Sequence, residues 1–234
     1  MEHLHANILS SSSESYNNKL TTFVNLYSYK CLRARPDLLR YFDNIHIDGI
    51  ALKALIQIFY KRKLPRISFD FTSLAQKIFF SAEREAKTIF LIGAKENEII
   101  LSIQNIISKY PALKLAGFRN GYFESVQEYT DVIKNIFRLN PDFVIAGMGT
   151  PLQEKFLMDL KRLGWQGTGF TCGGFLHQTA SKTKYYPDWT DKLNLRWAYR
   201  IYDEPYLIKR YLVDYLIGLF LFIKDYYKWS KRRI

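Results

Sequence analysis

Phe143-Val-Ile-Ala-Gly-Met-Gly-Thr-Pro-Leu-Gln-Glu154 is the stretch whose reading decides the fold. Four apolar residues without alternation are the pattern of a strand covered on both faces. A glycine ends the run, and Leu152 to Leu163 follows with helical spacing. The same strand–glycine–helix phrase recurs on either side. Thr88 to Ile92 ends at Gly93 and leads into a helix over Glu96 to Lys109; Leu113 to Ala116 ends at Gly117 before a helix over Val126 to Leu139; Gly167 to Cys172 runs into Gly173-Gly174. Repetition of this phrase roughly every 25–30 residues predicts βαβ units on a parallel sheet.

The N-terminal half is read the same way, less regularly. Thr22 to Asn25 and Ile45 to Asp48 are short β-type runs, and Ile67 to Phe71 is a third. Helices are expected over Ser28 to Tyr41, Ile50 to Tyr60 and Ser73 to Glu85. The expected fold is α/β: a Rossmann-like, mostly parallel sheet with helices on both faces, plus a C-terminal basic amphipathic helical appendage. Residues 1–18 are polar and Ser-rich and read as a flexible lead-in, 19–190 as the catalytic α/β domain, and 191–234 as the appendage.

Composition narrows the partners. The chain has 234 residues, 48% hydrophobic, with 34 Lys+Arg against 22 Asp+Glu for a net charge of +12, so an anionic partner is implied. From Lys182 to Ile234 there are 12 basic and six acidic residues, half of the excess in under a quarter of the length. The two cysteines, Cys31 and Cys172, stand in no CxxC, which excludes a disulfide framework and a zinc ribbon. The N-terminus lacks the basic and apolar blocks of a signal peptide, and no run of about 18 apolar residues is available to span a bilayer. A reducing, cytoplasmic location is expected.

In parallel sheets ligands gather at the carboxyl ends of strands, so the loops there are the candidate site. Asp48-Gly49 follows a short strand: its carboxylate is either a general base or an ordinary Asp-Gly turn with a capping acid. Gly147-Met-Gly149-Thr-Pro151-Leu-Gln153-Glu154 lets backbone approach a ligand closely and offers a helix start to a phosphate, with Gln153 and Glu154 able to accept hydrogen bonds from a base or sugar. Gly173 and Gly174 suit the same purpose, with His177 beside them. Arg196, Arg200, Lys209 and Arg210, interleaved with Tyr199, Tyr202 and Tyr206, form the strongest cationic cluster; guanidinium binds phosphate bidentately. The bland alternative is a solvated helix face paired to Asp203 and Glu204. GxxxxGK[ST], HExxH, GxSxG and D-x-D patterns are all missing, so no metal ligand set and no ATPase loop is expected.

Three segments together resemble the WecG/TagA/CpsF family of bacterial glycosyltransferases. They are Pro141-Asp142-Phe-Val-Ile-Ala-Gly147-Met-Gly149-Thr-Pro151-Leu-Gln153-Glu154; Cys172-Gly173-Gly174 to Pro187-Asp-Trp189; and Leu193-Asn-Leu195-Arg-Trp197-Ala-Tyr199-Arg200 to Glu204-Pro205 and Lys209-Arg210-Tyr211. The upstream Asp48-Gly49 element, preceded by the Asn25-containing strand, extends the likeness over about residues 19–225. The resemblance implies an inverting, metal-independent hexosyltransferase with no cofactor beyond its UDP-sugar donor. Its acceptor would be a polyprenyl-diphosphate-linked saccharide at the inner leaflet, in exopolysaccharide or teichoic-acid-like glycan synthesis. It makes Asp48 the general base, assigns Asn25, Arg66 (in an R-x-x-x-D stretch), Gly147, Gly149, Pro151, Gln153, Glu154, Gly173 and Gly174 to the donor, and Arg196, Arg200, Lys209 and Arg210 to the acceptor diphosphate and an anionic membrane surface. This sequence departs from the family at His177, where many members carry Asp, and at Ala94-Lys-Glu96, where a glycine-proline element is usual. The competing reading is a basic non-catalytic module that binds nucleic acid or anionic membrane; helix-turn-helix and RNP-type signals for nucleic acid are missing. Homo-oligomerisation is left open.

Overall fold

The computed structural model describes residues 16–181, 187, 189–190, 193 and 195–231. The lead-in up to residue 15, Asp188, Asp191 and the basic residues Lys182, Lys184, Lys192, Arg232 and Arg233 lie outside the described residues. Six parallel strands form one sheet in the order β2-β1-β6-β5-β3-β4: β1 (Leu20–Val24), β2 (Asn44–Ile47), β3 (Thr88–Gly93), β4 (Lys114–Arg119), β5 (Phe143–Gly147) and β6 (Thr168–Thr171). Along β3 and β5 the side chains divide by parity. Phe90, Ile92, Val144 and Ala146 join one buried cluster; Ile89, Leu91 and Ile145 join the other. Helices therefore cover both faces, as the unalternating runs predict. One layer is α1 (Leu26–Arg33), α3 (Ile50–Tyr60), α6 (Val126–Leu139) and α7 (Leu152–Arg162), and the other is α4 (Leu74–Arg84), α5 (Glu96–Lys109) and α8 (Phe175–Ser181).

Three expectations change. The helix expected over Ser28–Tyr41 is broken into α1 and the short α2 (Pro36–Leu39), because the residue before a proline is pushed out of the helical region. The strand expected over Ile67–Phe71 is a loop. Ile67 N–H donates to the Ile47 carbonyl at 2.9 Å, then the chain turns at Asp70, whose carboxylate accepts from Ser68 Oγ (2.6 Å) and the Thr72 N–H (2.9 Å). The alternating Ile67, Phe69 and Phe71 pack inward from that loop instead of pairing in a ladder. Strand β4 runs beyond Ala116 through Gly117, with a register shift against β3 between Ile89 and Phe90.

The C-terminal segment contains α9 (Arg196–Asp203), a 3₁₀ turn (Pro205–Leu207), a π-helical turn (Arg210–Asp214) and α10 (Tyr215–Lys231). Helix α10 is fastened to the domain. Its Gly218 rests on the Leu26 carbonyl so closely that a Cβ would lie 2.2 Å from that oxygen. Phe222 is buried against Tyr29, Phe59 and Tyr60, a burial worth about 1.5–3 kcal/mol. Asp225 accepts from Tyr29 Oη (2.9 Å) and from Arg33 Nε (2.7 Å), while Lys30 reaches Asp214 at 2.5 Å.

Candidate active site

All six strands point their carboxyl ends toward one side. Chain order reverses across the sheet, β1 stepping outward to β2 on one flank and β3 to β4 on the other, which opens a crevice between them. A cavity of about 870 Å³ occupies that crevice. Its lining comes from the carboxyl-end loops of the strands, from residues 66–70 ahead of α4 and from residues 196–215.

Asp48 stands at the floor. Its N–H donates to the Val24 carbonyl at 3.0 Å, which continues the β1–β2 ladder by one residue and fixes the backbone there. Arg66 holds it from the side: Nε donates to the Asp48 carbonyl at 2.7 Å, and Nη2 lies 3.6 Å from Oδ1. Desolvation in the cleft pushes the Asp48 carboxyl above its usual range and Asp70 adds to this, while Arg66, Arg196 and Arg200 pull it back. With 36% of its side chain exposed, the carboxylate is recessed but reachable. Next to it, Asn25 caps α1 by accepting the Ser28 N–H at 3.0 Å. Gly49 passes so near that a Cβ would come within 2.9 Å of Asn25 Cβ, which explains the glycine after the aspartate.

The β5–α7 and β6–α8 loops are pressed together. A Cβ on Gly147 would meet Cys172 Sγ at 2.7 Å and the Gly173 carbonyl at 2.9 Å. Gly149 and Gly173 take positive φ (+76° and +54°) with open space beside them, so their glycine requirement is conformational. Gln153 is buried and accepts the Gly173 N–H at 3.1 Å, tying the two loops. Glu154 is fully buried. Its Oε1 accepts from Thr22 Oγ1 (2.9 Å), Thr150 Oγ1 (3.2 Å) and Gln153 Nε2 (3.1 Å), and Oε2 has no partner among the described residues. Burial pushes the Glu154 carboxyl up against the pull of those donors. Neither Glu154 nor Pro151 lines the cavity; Glu154 is buried beneath the loop, where its bonds to Thr22 and Thr150 tie β1 to the start of α7. Pro141-Asp142 lies at the opposite end of β5. There Asp142 accepts from the Thr88 N–H (2.8 Å) and Lys87 Nζ (3.1 Å), pinning β3 to β5.

The remaining wall is cationic and aromatic. Arg196 pairs with Asp70 (2.7 Å) and Thr72; burial acts to raise the Asp70 carboxyl, but Arg196 and the hydroxyls of Ser68 and Thr72 bring it below its usual range. Arg200 donates from Nε to Glu204 (3.4 Å), and its Nη2 sits 2.7 Å from where a Gly174 Cβ would be. Arg210 stacks over the Tyr27 ring at 4.4 Å. Lys209 is exposed and outside the cavity. The structure thus brings Asn25, Asp48, Arg66, Gly147, Gly149, Gln153, Gly173, Gly174, Arg196, Arg200 and Arg210 to one cleft. Sequence reasoning gave no role to Ser68 and Asp70, hidden by a strand-like pattern, or to Tyr211 and Tyr215, which blend into an aromatic-rich segment; all four line the cleft. Among the described residues no three His, Cys, Asp or Glu side chains stand together in a metal-holding group. A reachable carboxylate of raised proton affinity, beside guanidinium groups and glycine loops at a helix start, can deprotonate a hydroxyl next to a bound anion.

The model of the Glycosyl transferase WecG/TagA/CpsF family matches residues 1–233. A UDP-Gal:alpha-D-GlcNAc-diphosphoundecaprenol beta-1,4-galactosyltransferase of Shigella boydii is 36% identical over 88% of this chain and 86% of its own length. An N-acetylglucosaminyldiphosphoundecaprenol N-acetyl-beta-D-mannosaminyltransferase of Bacillus subtilis (strain 168) is 34% identical over 75% of this chain and 67% of its own.

Proposed function

The chain belongs to the WecG/TagA/CpsF glycosyltransferase family, and on that premise we propose that it is an inverting, metal-independent hexosyltransferase, moving a sugar from a UDP-sugar to a saccharide on polyprenyl diphosphate. The observation that carries this is Asp48: a recessed, reachable carboxylate at the floor of a cleft walled by Arg66, Arg196, Arg200 and Arg210. Asp48 takes the proton of the acceptor hydroxyl as its oxygen attacks the anomeric carbon. The bond from that carbon to the UDP oxygen breaks on the opposite side, and UDP departs with the electron pair. Charge building on the leaving diphosphate meets the Arg200 guanidinium, glycine-loop N–H groups and the start of α7, while Arg66 stays on Asp48. The β linkages in both relatives' names are what such inversion gives from an α-linked nucleotide sugar.

The acceptor requires a lipid surface. Leu212, Val213, Leu216, Ile217 and Phe220 form an exposed apolar strip beside Lys209 and Lys224, and Leu212 also lines the cleft. No described helix is long and apolar enough to cross a membrane. A strip of this kind suits a peripheral site on the cytoplasmic face, with apolar side chains at headgroup level and each nearby cation worth about 1 kcal/mol on anionic lipid.

The test pairs UDP binding with turnover. UDP should raise the melting temperature of the wild type and of Asp48→Asn alike. Transfer from a panel of UDP-sugars to a GlcNAc-diphosphoprenol acceptor should fall at least ~10²-fold in Asp48→Asn. Near-normal turnover in that variant would make Asp48 a turn residue and end the proposal.

A further inference from the structure

Four polar side chains from three separate elements meet on the cleft wall: Arg200, which the proposed mechanism uses, and Glu98, His177 and Glu204, which it does not. Glu98, in the first turn of α5, accepts the Lys95 N–H on Oε2 at 2.9 Å, so its carboxylate is fixed from below. Its Oε1 faces His177 Nδ1 at 3.0 Å. The other ring nitrogen of His177, Nε2, lies 3.9 Å from Oε1 of Glu204. That same oxygen accepts from Arg200 Nε at 3.4 Å, while Oε2 of Glu204 accepts from Tyr206 Oη. Glu204 is an acid with only 5% of its side chain exposed, at the end of α9, one helical turn beyond Arg200.

A buried carboxylate is expensive unless it is paired and hydrogen-bonded, and Arg200 and Tyr206 supply that pairing here. The geometry separates the two ends of the Arg200 guanidinium. Nε is turned to Glu204, which leaves the Nη edge against the Gly174 backbone, inside the cleft and within electrostatic reach of Asp48. A long side chain held at Nε gives up less rotamer freedom when its Nη edge takes a phosphate than one that is unrestrained. We infer that Glu204 is the positioning residue for Arg200, and that the Glu98–His177 pair braces Glu204 from the sheet side so that the C-terminal segment presents its guanidinium to a diphosphate over the Gly173-Gly174 loop. This rests on the nucleotide-sugar reading of the cleft. His177 then serves to connect the α5 start to α9 across the cleft rim.

A double-mutant cycle tests it, with the purified full-length protein and calorimetric titration of UDP, inorganic pyrophosphate and uridine. Glu204→Gln should weaken UDP and pyrophosphate binding about tenfold, the loss of one charge-assisted contact. Uridine binding should not move. If Glu204 acts through Arg200, adding Glu204→Gln to Arg200→Ala should change UDP affinity by no more than about twofold beyond Arg200→Ala alone. His177→Gln, at a half-exposed position, should lose diphosphate affinity in the same direction by less, and stands in if the Glu204 variant does not fold. Full multiplication of the two losses, or an equal loss for uridine, would overturn the positioning role while leaving the nucleotide-sugar reading intact. A wild type that binds neither UDP nor pyrophosphate would overturn that reading, and this inference with it.

Discussion

The wall of the cleft carried by the β5–α7 and β6–α8 loops is packed backbone against backbone, whereas the wall carried by Arg196–Tyr215 reaches the same cavity through long side chains held by ion pairs. In the first wall the separation between Gly147 and Gly173 leaves no room for a methyl group. In the second, position depends on Arg196–Asp70, Arg200–Glu204 and Arg210 over Tyr27. Close packing depends on shape alone; the Arg196–Asp70 and Arg200–Glu204 pairs, largely withdrawn from solvent and so only weakly screened by salt, hold their geometry only while both partners are present. The difference suits the two substrates proposed above. A nucleotide diphosphate of fixed shape can be met by a rigid cradle. On the other wall Arg200 is held for the nucleotide diphosphate, and a lipid-linked acceptor arriving from a surface is met by the outward apolar strip of α10, anchored where Phe222 and Asp225 hold that helix to the core.

The comparison is most sharply broken by adding one carbon to the rigid wall. Gly147→Ala places a Cβ against Cys172 Sγ and the Gly173 carbonyl, neither of which is a flexible chain end. Overpacking of this kind costs roughly 1–3 kcal/mol. In a domain of this size each kcal/mol is about 2–4 °C of melting temperature. Thermal unfolding with and without UDP should show both the loss and a diminished UDP-induced shift. Gly149→Ala, with nothing within 4 Å, should cost only the positive-φ penalty of about 1–2 kcal/mol, with the neighbouring loop undisturbed. A Gly147→Ala variant as stable and as UDP-responsive as wild type would show that the wall is not rigid.

A smaller effect is expected at the second wall's outer surface. Leu216 and Phe220 are 62% and 71% exposed, so the double change Leu216→Glu, Phe220→Glu removes no core contact. It replaces two apolar contacts with two like charges facing anionic lipid. Co-sedimentation with phosphatidylglycerol-containing vesicles should drop severalfold at low salt, with the melting temperature unchanged. Retained vesicle binding would move the membrane contact elsewhere on the molecule.

How far this contrast was legible in the sequence differs between the walls. The rigid wall announces itself: apolar runs ending at Gly93, Gly147 and Gly173 mark both the parallel sheet and its ligand end, because only glycine tolerates the close approach at the first two and the positive φ at the third. The supporting roles of Glu154 and Asp142 were not legible, since a motif records which residues are required and not whether they face ligand or core. The loop at Ile67–Phe71 defeated pattern reading because apolar alternation describes which side chains are buried, and a loop pressed on the core satisfies it as well as a strand does. In the C-terminal segment, charge and aromatic content indicated an amphipathic surface. That Glu204 is a buried hub, and that Gly218 seats α10 on Leu26, depends on contacts between residues far apart in the chain that no local spacing encodes.

The finest distinction between the walls concerns the pH at which Asp48 is ready to act. Desolvation raises its proton affinity; Arg66, foremost among the cations, lowers it. A general base works as the carboxylate, so turnover falls as pH drops through the Asp48 pKa, and that acid limb lies above the ordinary aspartate position. Arg66→Gln removes the positive charge and keeps donors that can still reach the Asp48 carbonyl. With its main cationic partner gone, the carboxyl holds its proton to higher pH, and the acid limb of kcat must move upward. Well above that limb, where Asp48 is ionised in both proteins, turnover should converge. If Arg66 served the donor phosphates instead, the variant would raise the KM for the UDP-sugar at every pH and leave the limb in place. A limb that moves downward would contradict the ordering of charges around Asp48, because no removal of a neighbouring cation can make a carboxyl easier to ionise.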